Sequence, residues 1–229
     1  MKVYGVLPAA GKGKRFGTEL PKQYQLLAGK PVLEHSISRL LASFDLSGFW
    51  VALGAEDIHW DSIDPQVRSA VHRVDGGTER ADSVRLAIDA IPNASADDWV
   101  MVHDAVRPLV SSKLVGELLH SLDENEAGAI LALPVFDTVK LATNENTVSK
   151  TLDRTNLWTA QTPQVFRYGM LKEALETTAG DTSITDEASA MEACGHRVRL
   201  YEGHRNNMKI TCREDLLLAE QLINLEVNS

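Results

Sequence analysis

Short apolar runs alternate along this chain with stretches whose apolar residues recur every three or four positions. The first run, Val3 to Leu7, ends at Pro8 and a group of glycines and reads as a buried β-strand. Gly29-Lys30-Pro31 then punctuates the chain, and Pro31 suits a first helical turn. Leu33, Ile37, Leu40, Leu41 and Phe44 follow at helical spacing. Phe49 to Gly54 predicts a second strand, and Val67 to Val74 a short helix and then a strand. Asp75-Gly76-Gly77 is a turn that places Thr78 to cap a helix faced by Ala81, Val84, Ile88 and Ile91. Trp99 to His103 predicts a strand ending at Asp104, and Leu114, Leu118, Leu119 and Leu122 a helix. Gly128 to Val135 is apolar throughout, the pattern of a strand buried on both faces.

From Phe136 to about Gln164 the pattern changes. Thr138-Val139-Lys140-Leu141 and Thr147-Val148-Ser149-Lys150 alternate around Asn144-Glu145-Asn146, which predicts a polar hairpin projecting from the core. A hairpin is marginal alone, so this arm is expected to pack on something else, a second subunit included. Helices are predicted over Tyr168 to Thr177 and Asp186 to Cys194, the latter capped by Thr185. Strands follow over Arg197 to Tyr201 and Met208 to Thr211, then a last helix from Arg213 to Glu226. The alternation predicts an α/β fold, a Rossmann-like and mainly parallel sheet with helices on both faces. The expected organisation is a single domain over 1–229 with an arm at 137–160. Ligands of such sheets sit beyond the carboxyl ends of the strands, so the segments near Ala9, Gly77, Asp104 and Asn207 are expected to converge.

Composition narrows the partners. The 229 residues are 44% hydrophobic and 24% charged, as in soluble globular proteins. A net charge of -9 disfavours nonspecific binding to nucleic acid or a membrane surface. The apolar run at the N-terminus is too short to span a bilayer and lacks the flanks of a signal peptide. Cys194 and Cys212 form no close-spaced metal or redox pair, and a reduced cytoplasmic setting is the default expectation.

An acidic chain that binds a polyanion must concentrate its cations, and the stretch from Pro8 to Gly17 does so. Pro8-Ala9-Ala10-Gly11 leads into Lys12, Gly13, Lys14 and Arg15, and Lys22 follows Pro21. Glycines permit close approach to the backbone, and successive N–H groups there form an anion-binding concavity. Lysine and arginine beside it add charge-assisted bonds to phosphate oxygens. A tight structural turn reads similarly, since one Gly-x-Gly is not diagnostic. Phe16 replaces the third glycine of a dinucleotide fingerprint, which counts against a nicotinamide dehydrogenase. Neither Gly-Lys pair is followed by the hydroxyl of a P-loop.

Other candidates lie at strand ends. Asp104 opposite such a cradle is a natural Mg²⁺ ligand, because Mg²⁺ takes one or two carboxylates and completes its shell with phosphates and water; a cap or a pair with Arg107 is the plainer alternative. His103 has no second histidine at ligand spacing and is expected to be buried beside the site. Gly77, Thr78 and Ser83 can read a base edge or simply begin a helix. Lys209, between Met208 and Ile210, is unusual unless it points at an anion or lies on an edge.

In combination the segments are far more specific. Pro8 to Gly17, Pro21-Lys22-Gln23-Tyr24, Gly76 to Ser83, His103 to Pro108, Asp137 to Lys140, Gln161 to Gln164, Thr185 to Ala188 and Asn207 to Thr211 together resemble the 2-C-methyl-D-erythritol 4-phosphate cytidylyltransferase family of the non-mevalonate isoprenoid pathway. The resemblance runs from about Val3 to Glu220 and implies a nucleotidyltransferase-type fold. It implies that CTP and methylerythritol phosphate give the cytidine diphosphate adduct and pyrophosphate. On that basis Arg15, Lys22 and Lys209 would be catalytic, stabilising charge on the triphosphate. Pro8, Ala9, Ala10, Gly11, Gly13 and Ala105 would hold the nucleotide, with Gly77, Thr78, Arg80 and Ser83 on its cytidine side. Asp104 would bind Mg²⁺, and Arg107, Thr138, Arg154, Thr162 and Thr185 would face the polyol phosphate. The family's arm crosses a homodimer, so Thr138 and Arg154 would complete the partner's site. Lys14, Phe16, Thr78 and Val106 stand where many relatives have Arg, Met, Asp and Ala. A ribitol 5-phosphate cytidylyltransferase shares the nucleotide half and is the near alternative; a nucleotide-binding module without turnover is the distant one.

Overall fold

A computed structural model describes residues 1–11, 16–17 and 19–227, with side chains to residue 225. The first strand, β1 (Val3–Pro8), is followed by a small ribbon of β2 (Leu26–Leu27) and β3 (Lys30–Pro31), then helix α1 (Val32–Leu41). Next come β4 (Gly48–Leu53), α2 (Pro65–Ser69), β5 (His72–Asp75), α3 (Arg80–Asp89), β6 (Trp99–Val102), α4 (Ser112–His120) and β7 (Gly128–Pro134). A hairpin of β8 (Lys140–Ala142) and β9 (Val148–Thr151) precedes β10 (Trp158–Arg167), α5 (Tyr168–Thr177), α6 (Glu187–Ala193), β11 (Arg199–Glu202) and α7 (Arg213–Val227).

The main sheet has seven strands in the order β11-β7-β10-β6-β1-β4-β5. All neighbours are parallel except β10, which runs antiparallel between β6 and β7. Successive side chains of a strand face opposite ways, and in the inner strands β1, β4, β6 and β7 both ways are dry. Val3 and Leu7 of β1 and Met101 of β6 join Leu33, Ile37, Phe49 and Leu118 on the face covered by α1 and α4. Tyr4, Val6, Val100 and Val102 join Val84, Ile88, Phe166, Leu171 and Met191 on the face covered by α3, α5 and α6. Such two-sided burial is why these strands read as unbroken apolar runs. A third cluster, Leu27, Val32, Val106, Leu109, Ile210, Ala219 and Ile223, fastens α7 beneath the strand-end loops, and Phe16 packs on it.

Three local expectations need correction. Trp158–Arg167 is a central strand rather than wholly arm, and Trp158 to Ala160, within 137–160, already pair with β7. Pro163 follows a cis Thr162–Pro163 bond at an interruption of the register between Ala160 and Gln164, and a proline in a run argues against a central strand. Met208 to Thr211 is not a strand; Ile210 donates its N–H to the Val106 carbonyl at 2.9 Å in the loop after β6. Neither predicted cap is the cap. Glu79 starts α3, its N–H bonded to Asp82 at 3.2 Å, and Asp186 starts α6, accepting from the Ser189 N–H at 2.9 Å.

Candidate active site

A cavity of about 160 Å³ opens at the carboxyl ends of β1 and β6, where the topology places a ligand. Pro8, Ala9, Ala10 and Gly11 form one wall, Gly77, Thr78, Arg80 and Ser83 another, and Lys22, Asp104, Ala105 and Lys209 much of the rest. Gly13 and Arg15 lie outside the described residues.

The two backbone walls come close because Gly76 has no side chain. A Cβ there would lie 2.6 Å from the Ala10 Cβ and 2.9 Å from the Ser83 Oγ. Ser83 accepts the Gly77 N–H at 3.1 Å and donates to the Glu79 carbonyl at 3.2 Å, which sets the turn before α3. The cradle is fixed from the sheet side, the Ala9 N–H bonding the Ala52 carbonyl at 2.7 Å.

Asp104 is the electrostatic centre. It is 6% exposed, and its oxygens accept from Arg80 Nε at 3.0 Å, Lys209 Nζ at 2.9 Å and Arg107 Nε at 3.4 Å. Burial pushes its pKa up, but Arg80, Lys209 and Arg107 outweigh that and hold it well below the usual carboxylate range. These three cations differ in their other partners. Arg80 forks onto Glu187 with bonds of 2.6 and 3.0 Å, and Glu187 is 1% exposed. Arg107 donates to the Asn207 carbonyl at 2.7 Å. Lys209 has a side chain 37% exposed to the cavity mouth and solvent.

His103 is fully buried behind Asp104. Its Nε2 lies 3.1 Å from the Arg107 carbonyl, which can only accept, so Nε2 carries the proton. Burial pushes the imidazole pKa down to about 4, which keeps the ring neutral and leaves Nδ1 an acceptor. Thr162 therefore donates its hydroxyl to Nδ1 at 2.9 Å and accepts the Asp104 N–H at 3.0 Å. Thr162 is 4% exposed and serves the backbone of Asp104 from behind the cavity.

Lys209, expected to point at an anion, points at Asp104. Arg107 reaches the site through Asp104 and Asn207. Thr138 and Arg154 are exposed and do not line the cavity within one chain. Thr185 is exposed too and lines a second cavity, of about 440 Å³, that shares Glu79 and Arg80 with the first. Gln23 and Glu187 lie within the sequence motifs and bond the cradle and Arg80, roles that the sequence does not show. Their signal was a polar side chain inside a motif, and only the fold shows that both are buried.

Comparison with known proteins places this geometry. The IspD family, 2-C-methyl-D-erythritol 4-phosphate cytidylyltransferase, matches residues 3–225. The enzyme of that name from Dechloromonas aromatica is 44% identical over 223 residues, 96% of each chain. The solved structure of the Francisella tularensis enzyme aligns with a TM-score of 0.80 at 35% identity, covering 96% of this chain and 99% of that one. The solved structure of the Thermus thermophilus enzyme gives a TM-score of 0.80 at 30% identity over 98% of this chain and all of its own. The extent of these matches and the cavity they surround lead to one conclusion: this chain belongs to the 2-C-methyl-D-erythritol 4-phosphate cytidylyltransferase family of nucleotidyltransferases.

Proposed function

We propose that this enzyme joins CTP to 2-C-methyl-D-erythritol 4-phosphate, giving 4-diphosphocytidyl-2-C-methyl-D-erythritol and pyrophosphate. A phosphate oxygen of the polyol attacks the α-phosphorus of CTP, a new P–O bond forms, and the bond to pyrophosphate breaks on the opposite side. Such transfers need positioning and charge neutralisation more than a protein nucleophile. The observation that carries the reading is the cavity in which a backbone cradle, two lysines and an aspartate meet at the strand ends.

Within it, the backbone of Pro8 to Gly11 holds the triphosphate and Gly77, Thr78, Ser83 and Ala105 the nucleoside. Lys22 and Lys209, with Arg15, stabilise the charge that builds on the α-phosphate and on the departing pyrophosphate. Asp104 is the buried carboxylate of the cavity lining, and a single carboxylate suits Mg²⁺ that takes the rest of its shell from phosphates and water. Bound there, Mg²⁺ would neutralise phosphate charge. Lys209 then has an anion to move to, and its partial exposure permits the move.

The polyol-phosphate side is completed by a second copy. Every residue of β8 and β9 is exposed, Leu141 and Val148 among them, and they form a sheet separate from the main one. Thr138 and Arg154 sit on that segment, exposed and outside the lining of their own cavity. Mixing Arg154→Ala and Lys22→Ala chains should restore part of the activity, because one site in each mixed dimer has both residues intact. Mixed dimers that form and stay inactive would refute sharing.

The direct test is pyrophosphate release from CTP with methylerythritol phosphate and ribitol phosphate side by side, with and without a chelator. Release with the methylerythritol substrate, abolished by chelation and restored by Mg²⁺, is the expected result. Release only with ribitol phosphate would overturn the substrate assignment.

A further inference from the structure

Gln23 follows Lys22 directly, yet its side chain is 4% exposed and turns inward. Its amide nitrogen donates to the carbonyls of Ala9 at 2.9 Å and Gly11 at 3.1 Å. A glutamine amide has two N–H bonds, so this one spends both on the cradle. We propose that Gln23 is a positioning residue for nucleotidyl transfer, holding the carbonyls of the phosphate cradle away from the ligand and locking the cradle to the segment that carries Lys22.

The physical reason is the peptide plane. In a trans peptide the C=O of one residue and the N–H of the next point in opposite directions. Tethering the Ala9 carbonyl on Gln23 therefore turns the Ala10 N–H the other way. A phosphate oxygen seeks N–H groups and is repelled by carbonyl oxygens, so a cradle whose carbonyls are engaged elsewhere is already oriented for an anion. Without Gln23 the same peptides could rotate and present their carbonyl dipoles to the triphosphate.

Gln23 also has a rigid base. Lys22–Tyr24 forms a single helical turn after Pro21. Tyr24 is 2% exposed and donates its hydroxyl to Asp57 at 2.9 Å, and Asp57 in turn accepts the N–H groups of His59 and Trp60 at 2.9 and 3.0 Å. The amide thus bridges a fixed turn and the end of β1 across fourteen positions. Lys22 is set on the same turn, its Nζ 3.5 Å from the Ile210 carbonyl. The Gln23 side chain thus ties the cradle to the turn that carries Lys22, which sets the phosphate donors and the lysine charge relative to each other before the nucleotide arrives.

This inference rests on the nucleotidyl-transfer reading, and its test separates the two. Gln23→Glu keeps the shape but offers two acceptors to two carbonyls, and Gln23→Met keeps the length without a donor. CTP binding by calorimetry is measured first, for wild type and both variants. Each variant should bind CTP about tenfold more weakly, with a larger loss for Glu than for Met. Turnover should fall further, to about 10²-fold in kcat/KM for CTP, while KM for the polyol phosphate stays within about twofold. The melting transition of Gln23→Met should stay within about 5 °C of wild type, and Gln23→Glu, which buries a carboxylate against two carbonyl oxygens, should melt lower. Unchanged CTP affinity would overturn the proposal. A parallel rise in both KM values, or the failure of both variants to fold, would do so as well by making Gln23 a general support of the fold. If wild type binds CTP but forms no product, the reaction assignment fails and the calorimetric comparison still decides the role of Gln23.

Discussion

Lys209→Ala is expected to lower kcat by about 10²–10³-fold, the loss seen when one preorganised donor to a developing charge is removed. KM for CTP should change by less than about tenfold, because the interaction is strongest where charge is greatest, in the transition state. The three cations around Asp104 are not equivalent. Arg80 is forked onto Glu187 and Arg107 is tied to the Asn207 carbonyl, so moving either leaves a buried acceptor behind. Lys209 bonds Asp104 at 2.9 Å from a partly exposed position and can swing to a phosphate at little cost. Its compact ammonium suits that exchange better than a planar fork would. Steady-state kinetics with CTP varied at saturating polyol phosphate checks this. Turnover within a few-fold of wild type would remove Lys209 from the catalytic set, and a KM rise with unchanged kcat would make it a ground-state binder.

Much of this site was legible before the fold was known, for a definite physical reason. Residues that meet a ligand at the ends of parallel strands sit just after apolar runs, and the runs announce themselves. Ala9, Asp104 and the Gly76-Gly77 turn were located by where the apolar runs through Leu7, Val102 and Val74 end. The resemblance then supplied roles that spacing alone left open, for Lys22 and Lys209 above all. Legibility failed where polar groups are buried. β10 carries Gln161, Thr162 and Gln164 in its middle, all at most 6% exposed, and a proline besides. Local patterning reads that as an arm, and only tertiary pairing makes it a strand. Gln164 shows why: its Nε2 donates to Asp186 at 2.8 Å, and its Oε1 accepts the Ala188 N–H at 3.0 Å. A buried glutamine satisfied by the cap of a helix some twenty positions away leaves no periodic trace. Gln23 and Glu187 escaped for the same reason.

The Arg80–Glu187 pair should dominate the stability of this region. Arg80→Ala leaves the Glu187 carboxylate, 1% exposed, without its forked partner, and breaking a buried pair from one side costs about 3–5 kcal/mol. For a domain of this size that is a fall of about 6–20 °C in the melting transition. Burial alone would lower the Arg80 pKa, but Glu187 and then Asp104 outweigh it and raise it, so the guanidinium stays charged throughout the working range. Removing both partners should hurt less than removing Arg80 alone. The Arg80→Ala/Glu187→Ala chain has no uncompensated charge at that spot, and buried pairs are often close to neutral against apolar replacements. The order of melting temperatures is therefore wild type first, the double variant second and Arg80→Ala last. A double variant less stable than Arg80→Ala would mean that Glu187 stabilises the fold by itself, through contacts other than Arg80. Activity should not follow that order. Both variants lack the Nε bond at 3.0 Å that orients Asp104, so both should turn over slowly despite their different stabilities.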